Sequence, residues 1–162
     1  MIQLINNKIN MMKKLNILLI SNLFFEVDLN KLKQFYLNEI PQAFLSFLIS
    51  NNGIRYKECI TDSGKGISDF LCLNSTNDYY SIIGYAKQNE SYLPKVFLPF
   101  AIDGGGDPFL ISLRDKDYGK IYFFRTDMYI EEVGALLLLY DNFEEFINGL
   151  MTEEEAIAKG VL

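Results

Sequence analysis

The residue pattern predicts an α+β fold, a single domain in which an antiparallel sheet is flanked by helices. Two kinds of segment predict it. Apolar residues recur at helical spacing early, midway and again near the end of the chain, and short strand-like runs lie between. Those runs are joined by brief, turn-rich loops, which suit antiparallel neighbours rather than the long crossovers of a parallel sheet. No repeat, low-complexity tract or Pro/Gly/Ser linker divides the 162 residues, so the main body is read as 28–150. An apolar extension, 1–27, precedes it and a short helical tail, 151–162, follows.

Taken in order, Met11-Met12-Lys13-Lys14 opens an apolar run from Leu15 to Phe25. It has the look of a basic and apolar leader, but no small-residue cleavage site follows, and it is too short to span a bilayer. It is read as a helix packed on the domain. Asp28 suits the N-cap of a helix reaching Asn38. Pro41 suits the first turn of the next, with Phe44, Leu45, Leu48 and Ile49 on one face. Asn51-Asn52-Gly53 ends that helix, Gly53 taking the left-handed conformation. Strand-like Ile54–Ile60 and Ile67–Leu73 flank Thr61–Gly66, which reads as a hairpin loop. Asp78 begins a helix whose inward face is Tyr79, Ile82, Ile83 and Ala86.

Two further strands, Val96–Ala101 and Phe109–Leu113, are joined by Asp103-Gly104-Gly105-Gly106-Asp107-Pro108, with Pro99 marking an edge or a bulge. Asp115–Gly119 turns the chain into Lys120–Arg125. The last helix carries Phe143, Phe146, Ile147 and Leu150 on its stripe, with Asp141 and Glu144 at capping-box spacing. Thr152 and Glu155 repeat that spacing ahead of a terminal turn that stops near Gly160. The apolar run Val133–Tyr140 is too short to cross a membrane.

The chain holds no histidine, which excludes Ser-His-Asp and Cys-His catalysis and every histidine metal site. Its net charge is −6 and its pI near 4.7. The acids are unevenly placed: from Asp127 to Glu155 there are nine acids and no base. Such a field disfavours nucleic acid and would attract a basic partner. The same acids equally suit plain solubility. Cys59 and Cys72, the two cysteines, read as buried, reduced thiols of a cytoplasmic protein.

The other chemical motifs fail on inspection. The triple glycine is followed by a strand rather than the helix a dinucleotide fingerprint needs. Gly64-Lys65-Gly66 lacks the hydroxyl a P-loop supplies to magnesium. Asp115–Gly119 has glycine where a calcium loop needs its third ligand, and Thr126 where it needs the closing glutamate. Asp103 and Asp107 have nothing in the sequence to desolvate one selectively for acid–base work. The reading is a domain without catalysis and without a cofactor.

Four segments together resemble the SUKH superfamily of bacterial immunity proteins and of a yeast regulator of cell-wall glucan synthesis. They are Ile40–Leu48 with Asn51-Asn52-Gly53, Leu98–Asp107, Tyr118–Phe124 and Asn142–Leu150. Their order and spacing agree over about 110 residues. Phe124 stands where the family often has tryptophan, and Arg125-Thr126-Asp127 where a histidine often follows. The resemblance implies a curved antiparallel sheet with flanking helices and a binding role. It implies an immunity protein that binds and neutralises a cognate toxin; the acidic charge balance adds that this toxin is basic and nuclease-like and that nucleic acid is not bound, and no apolar run is long enough to span a membrane. A regulatory or scaffold module is the alternative. Asp103, Asp107, Tyr80, Asp127 and Glu131 are the candidate partner-binding residues. The Asp103–Pro108 glycines are read as structural, while its two aspartates stay open between turn and interface.

Overall fold

The computed structural model describes residues 17–20, 26–56 and 59–162. The chain forms an α+β domain with an open five-stranded antiparallel sheet, as expected. In chain order the elements are β1 (Ile17–Ile20), α1 (Glu26–Phe35), α2 (Gln42–Asn51), β2 (Ile54–Tyr56), β3 (Asp69–Phe70), α3 (Ile82–Gln88), β4 (Phe97–Ile102), β5 (Pro108–Ser112), β6 (Ile121–Phe124), β7 (Leu136–Tyr140), α4 (Phe143–Gly149) and α5 (Glu153–Ala158).

The N-terminal extension departs from expectation. Ile17–Ile20 is a strand, not a helix, and pairs antiparallel with β2, Ile20 opposite Ile54. A short apolar run fits either state, and here its non-local partner decides. The rest of the Leu15–Phe25 run lies outside the described residues. α1 starts at Glu26, so Asp28 sits inside its first turn rather than at the cap. Glu26 and Asp28 at that end and Lys33 at the other complement the helix dipole.

α2 begins directly after Pro41, whose fixed φ of −55° leads into a turn that needs no amide from it. Its buried residues are Phe44, Leu45, Phe47 and Leu48, so Phe47 takes the place expected for Ile49, which is exposed. Gly53 has φ 73°, the left-handed stop. Asn52 is buried and pins this end: its Nδ2 donates to Asn74 Oδ1 at 2.8 Å, and its Oδ1 accepts from the Leu73 amide at 2.8 Å.

The expected hairpin between residues 54–60 and 67–73 forms only at its tip. Ile60 bridges Gly66, and the Thr61 amide donates to the Lys65 carbonyl at 2.9 Å. Beyond the tip β2 turns to β1 while β3 joins β4 in the large sheet. Phe70 thereby reaches the core, 6.5 Å from Phe100 and 6.3 Å from Phe146. Asp78 belongs to a single 3₁₀ turn capped by Asn77, and Ser81 caps α3 by accepting from the Gly84 amide at 2.9 Å.

The large sheet runs in the order β3-β4-β5-β6-β7. β4 and β5 are buried along their whole length, which explains their unbroken apolar sequence. The register slips between Pro99 and Ala101, the bulge that Pro99 suggested. α2 and α4 press on one face through Phe100, whose ring lies 5.9 Å from Phe44, 5.5 Å from Phe143 and 5.0 Å from Phe146. On the other face Phe97 meets Tyr122 and Phe124 meets Tyr92. β7 was not foreseen. It forms one edge of the sheet and leads into α4, whose cap is Asn142, accepting from the Glu145 amide at 2.8 Å. Asp141, expected to cap α4, instead pairs with Lys120 at 3.1 Å. The Thr152–Glu155 capping box of α5 is present.

Candidate interaction surface

At one end of the large sheet the β4–β5 turn meets the long loop between β6 and β7. Asp103 organises the turn. Its Oδ1 accepts from the amides of Gly105 and Asp107, each at 2.9 Å. Gly106 has φ 93°, and a Cβ built there would stand 2.8 Å from the Tyr79 hydroxyl. The Tyr85 hydroxyl donates to the Gly106 carbonyl at 2.9 Å. The glycines are therefore structural, and the third is held from two sides.

Asp107 fastens the turn to the neighbouring loop. Its Oδ1 accepts from the Thr126 amide at 3.2 Å and from the Thr126 hydroxyl. Thr126 falls in the stretch where the resemblance leads one to look for histidine, and here it serves as this tie. Around the turn Tyr80 lies edge-on to Tyr79 at 5.2 Å, and Tyr79 lies 5.9 Å from Tyr85. Burial, then Tyr80 and the Asp69 and Asp103 carboxylates, push the Tyr79 hydroxyl up. Burial, then Tyr92, Tyr79 and the Asp107 and Asp103 carboxylates, do the same at Tyr85. Both stay protonated at neutral pH, and the Tyr85 hydroxyl is thereby kept as the donor to Gly106.

Of the residues singled out from the sequence, Tyr80, Asp103 and Asp107 thus share one locality. Asp127 adjoins it through Thr126 and pairs with Arg125 at 3.5 Å on the surface. Glu131 lies farther along the same loop, exposed. Asp103 and Asp107 each spend Oδ1 on the turn and its tie, so the open question about them resolves toward structure for that oxygen. Sequence reasoning missed Tyr129 and Val133, which are 75% and 99% exposed on this acidic loop. An aromatic isolated among Asp127, Glu131 and Glu132 was the available signal.

Elsewhere the candidate chemistry is absorbed by structure. Asp117, in the turn once compared with a calcium loop, accepts from Arg114 Nε at 3.0 Å, from the Ser112 hydroxyl at 2.5 Å and from the Tyr122 hydroxyl at 2.7 Å. Burial alone would raise its carboxyl, but these bonds and the Arg114 charge outweigh it and hold the group below its ordinary value. Cys59 is buried and its thiol pushed up to about 12, which leaves little thiolate. The Cys72 thiol donates to the carbonyl of Asn74 at 2.9 Å. No helix among the described residues is long and apolar enough to cross a membrane.

An open antiparallel sheet flanked by helices, with carboxylates and tyrosines gathered at one end, defines an α+β domain. Residues 26–149 match the model of the SMI1 / KNR4 family (SUKH-1), and the chain belongs to that family. No curated protein matches the chain.

Proposed function

We propose that this chain acts by occupying another protein's surface, as an immunity protein that neutralises a cognate toxin in the cytoplasm. Family membership supports a binding role, immunity or regulatory. The observation that carries the finer reading is the acidic loop with its exposed aromatic: Asp127, Glu131 and Glu132 lie within three residues of Tyr129, which is 75% exposed and whose amide donates to the Glu132 carboxylate at 2.8 Å. Interfaces are anchored by aromatic side chains in a polar rim, and complementary charge speeds encounter with a basic partner. A nuclease presents such a positive surface to its own substrate. Tyr80, Asp127 and Glu131 are then contact residues, while Asp103 and Asp107 set the shape of the turn beside them. The protein turns over no substrate in this reading and binds neither nucleic acid nor membrane.

The test is co-expression with the toxin encoded beside this chain's gene. Rescue of growth, with a complex that survives gel filtration, is the expected result. Absence of both would reject the toxin, and recovery of a cell-wall-synthesis enzyme from the native host would favour the regulatory alternative.

A further inference from the structure

β7 is an edge strand of sequence Leu-Leu-Leu-Leu-Tyr, without the lysine, proline or inward charge that usually blunts an edge. Its outward backbone groups follow from the register. The Arg125 amide donates to the facing Ala135 carbonyl at 2.9 Å. Antiparallel pairs alternate, so Leu137, opposite Phe123, turns its amide and carbonyl to β6. Those of Leu136 and Leu138 then point away from the sheet. Leu138 is 52% exposed, and no other strand pairs with this edge among the described residues.

The ends of the strand are acidic. Asp127, Glu131 and Glu132 lie on the loop before it, and Asp141, Glu144 and Glu145 follow it; the nearby bases are Arg125 and Lys120, paired with Asp127 and Asp141, and Lys65, held over the Phe123 ring at 4.5 Å. A second copy is a poor occupant. Antiparallel self-pairing would set one loop's acids against the other copy's Asp141–Glu145 segment, and parallel pairing would set each acidic group against itself. A cationic chain meets neither penalty.

Resting on the binding role proposed above, we infer that the open edge of β7 receives an extended, lysine- or arginine-rich segment of the partner protein as a sixth strand. Its main chain bonds to Leu136 and Leu138, and its cations face the acids at the two ends. The mode differs from capture at the tyrosine end alone, because main-chain pairing supplies the affinity and the flanking charges set which segments are accepted.

The full chain is titrated with a short blocked peptide alternating lysine and valine, against an alternating glutamate and valine control, and amide exchange is followed residue by residue. The basic peptide should slow exchange at Leu136 and Leu138 about tenfold, and the acidic one should not. Leu138→Lys, at an exposed position, should abolish the effect. Glu131→Lys with Glu132→Lys should weaken binding about tenfold at low salt and far less at high salt. Protection of other residues only, or none, would overturn the inference. So would slow exchange of the two amides before peptide is added, which means the chain covers its own edge, or a dimer in sedimentation that Leu138→Lys dissolves. Toxin rescue by the wild type that Leu138→Lys leaves intact overturns the edge assignment alone. Failure of the wild type to rescue overturns the toxin reading alone, since the peptide experiment judges the edge without it.

Discussion

The triple glycine offers a test in which three adjacent positions of one residue type should behave differently. Gly106→Ala places an L residue at φ 93°, with a new Cβ 2.8 Å from the Tyr79 hydroxyl. The left-handed backbone costs about 1–2 kcal/mol. Moving Tyr79 aside loosens its edge contacts with Tyr80 at 5.2 Å and Tyr85 at 5.9 Å. That loss is worth about 1 kcal/mol. Reduced freedom of the unfolded chain returns about 0.5 kcal/mol, so the net cost is about 2 kcal/mol. Gly104→Ala has no positive φ and nothing within 4 Å, so only the unfolded-state gain remains. With a urea slope of about 2 kcal/mol/M, the two midpoints should differ by about 1 M. Gly105→Ala, whose Cβ meets Asp103 Oδ1 at 3.4 Å, should fall close to Gly104→Ala. Urea unfolding by far-UV circular dichroism reads all three. Adding Tyr79→Phe to Gly106→Ala should recover the collision part and leave the backbone part. Coincident midpoints for Gly104→Ala and Gly106→Ala would refute the assignment of the third glycine as the one the fold requires.

Gly84→Ala should be more damaging still, about 3 kcal/mol by the same unfolding assay, because its Cβ would lie 2.2 Å from the Asp78 carbonyl oxygen, which is backbone and cannot swing away. Phe100→Ala should cost about 3–5 kcal/mol, since its ring packs against Phe44, Phe143 and Phe146 at once. The Asp117 network predicts a pH dependence. Its carboxyl is held below the ordinary value, so its contribution is complete above the unfolded pKa of about 3.9 and is lost as pH falls through the lower folded one. Unfolding free energies measured down this acid range should show a shallower fall for Asp117→Asn than for the wild type. Cys59 and Cys72 should resist a thiol reagent at neutral pH until the protein is unfolded, because both are buried and the Cys59 thiol is pushed up to about 12.

What could be read in advance divides along the line between local and non-local causes. α2 was legible because Pro41 and Gly53 punctuate it, and the β4–β5 turn because glycines and aspartates declare a turn whatever surrounds them. The cap of α1 is misjudged because a carboxylate such as Asp28 suits the whole first turn, and that of α4 because Asp141 and Asn142 are adjacent cap formers, of which Asn142 takes the Glu145 amide and Asp141 pairs with Lys120. β7 stayed hidden because four leucines neither alternate nor favour a strand by themselves, and the strand exists through its pairing with β6. β1 was assigned the wrong state for a related reason: its partner, β2, lies on the far side of two helices in the chain. At the surface, Asp103, Asp107 and Tyr80 could be named, yet that Asp103 would spend an oxygen on two amides was invisible. So was the choice of Tyr79 as the group lying over Gly106.

The hydrogen bonds from Thr126 to Asp107 carry one more consequence. They clamp two segments that are distant in sequence, so the shape offered to a visitor exists before the visitor arrives, and little freedom is left to surrender on contact. Thr126→Val removes the hydroxyl bond and keeps the amide one, so on the proposed binding role it should shorten the lifetime of a bound complex while leaving the speed of approach, governed by the surrounding acids, nearly as it was.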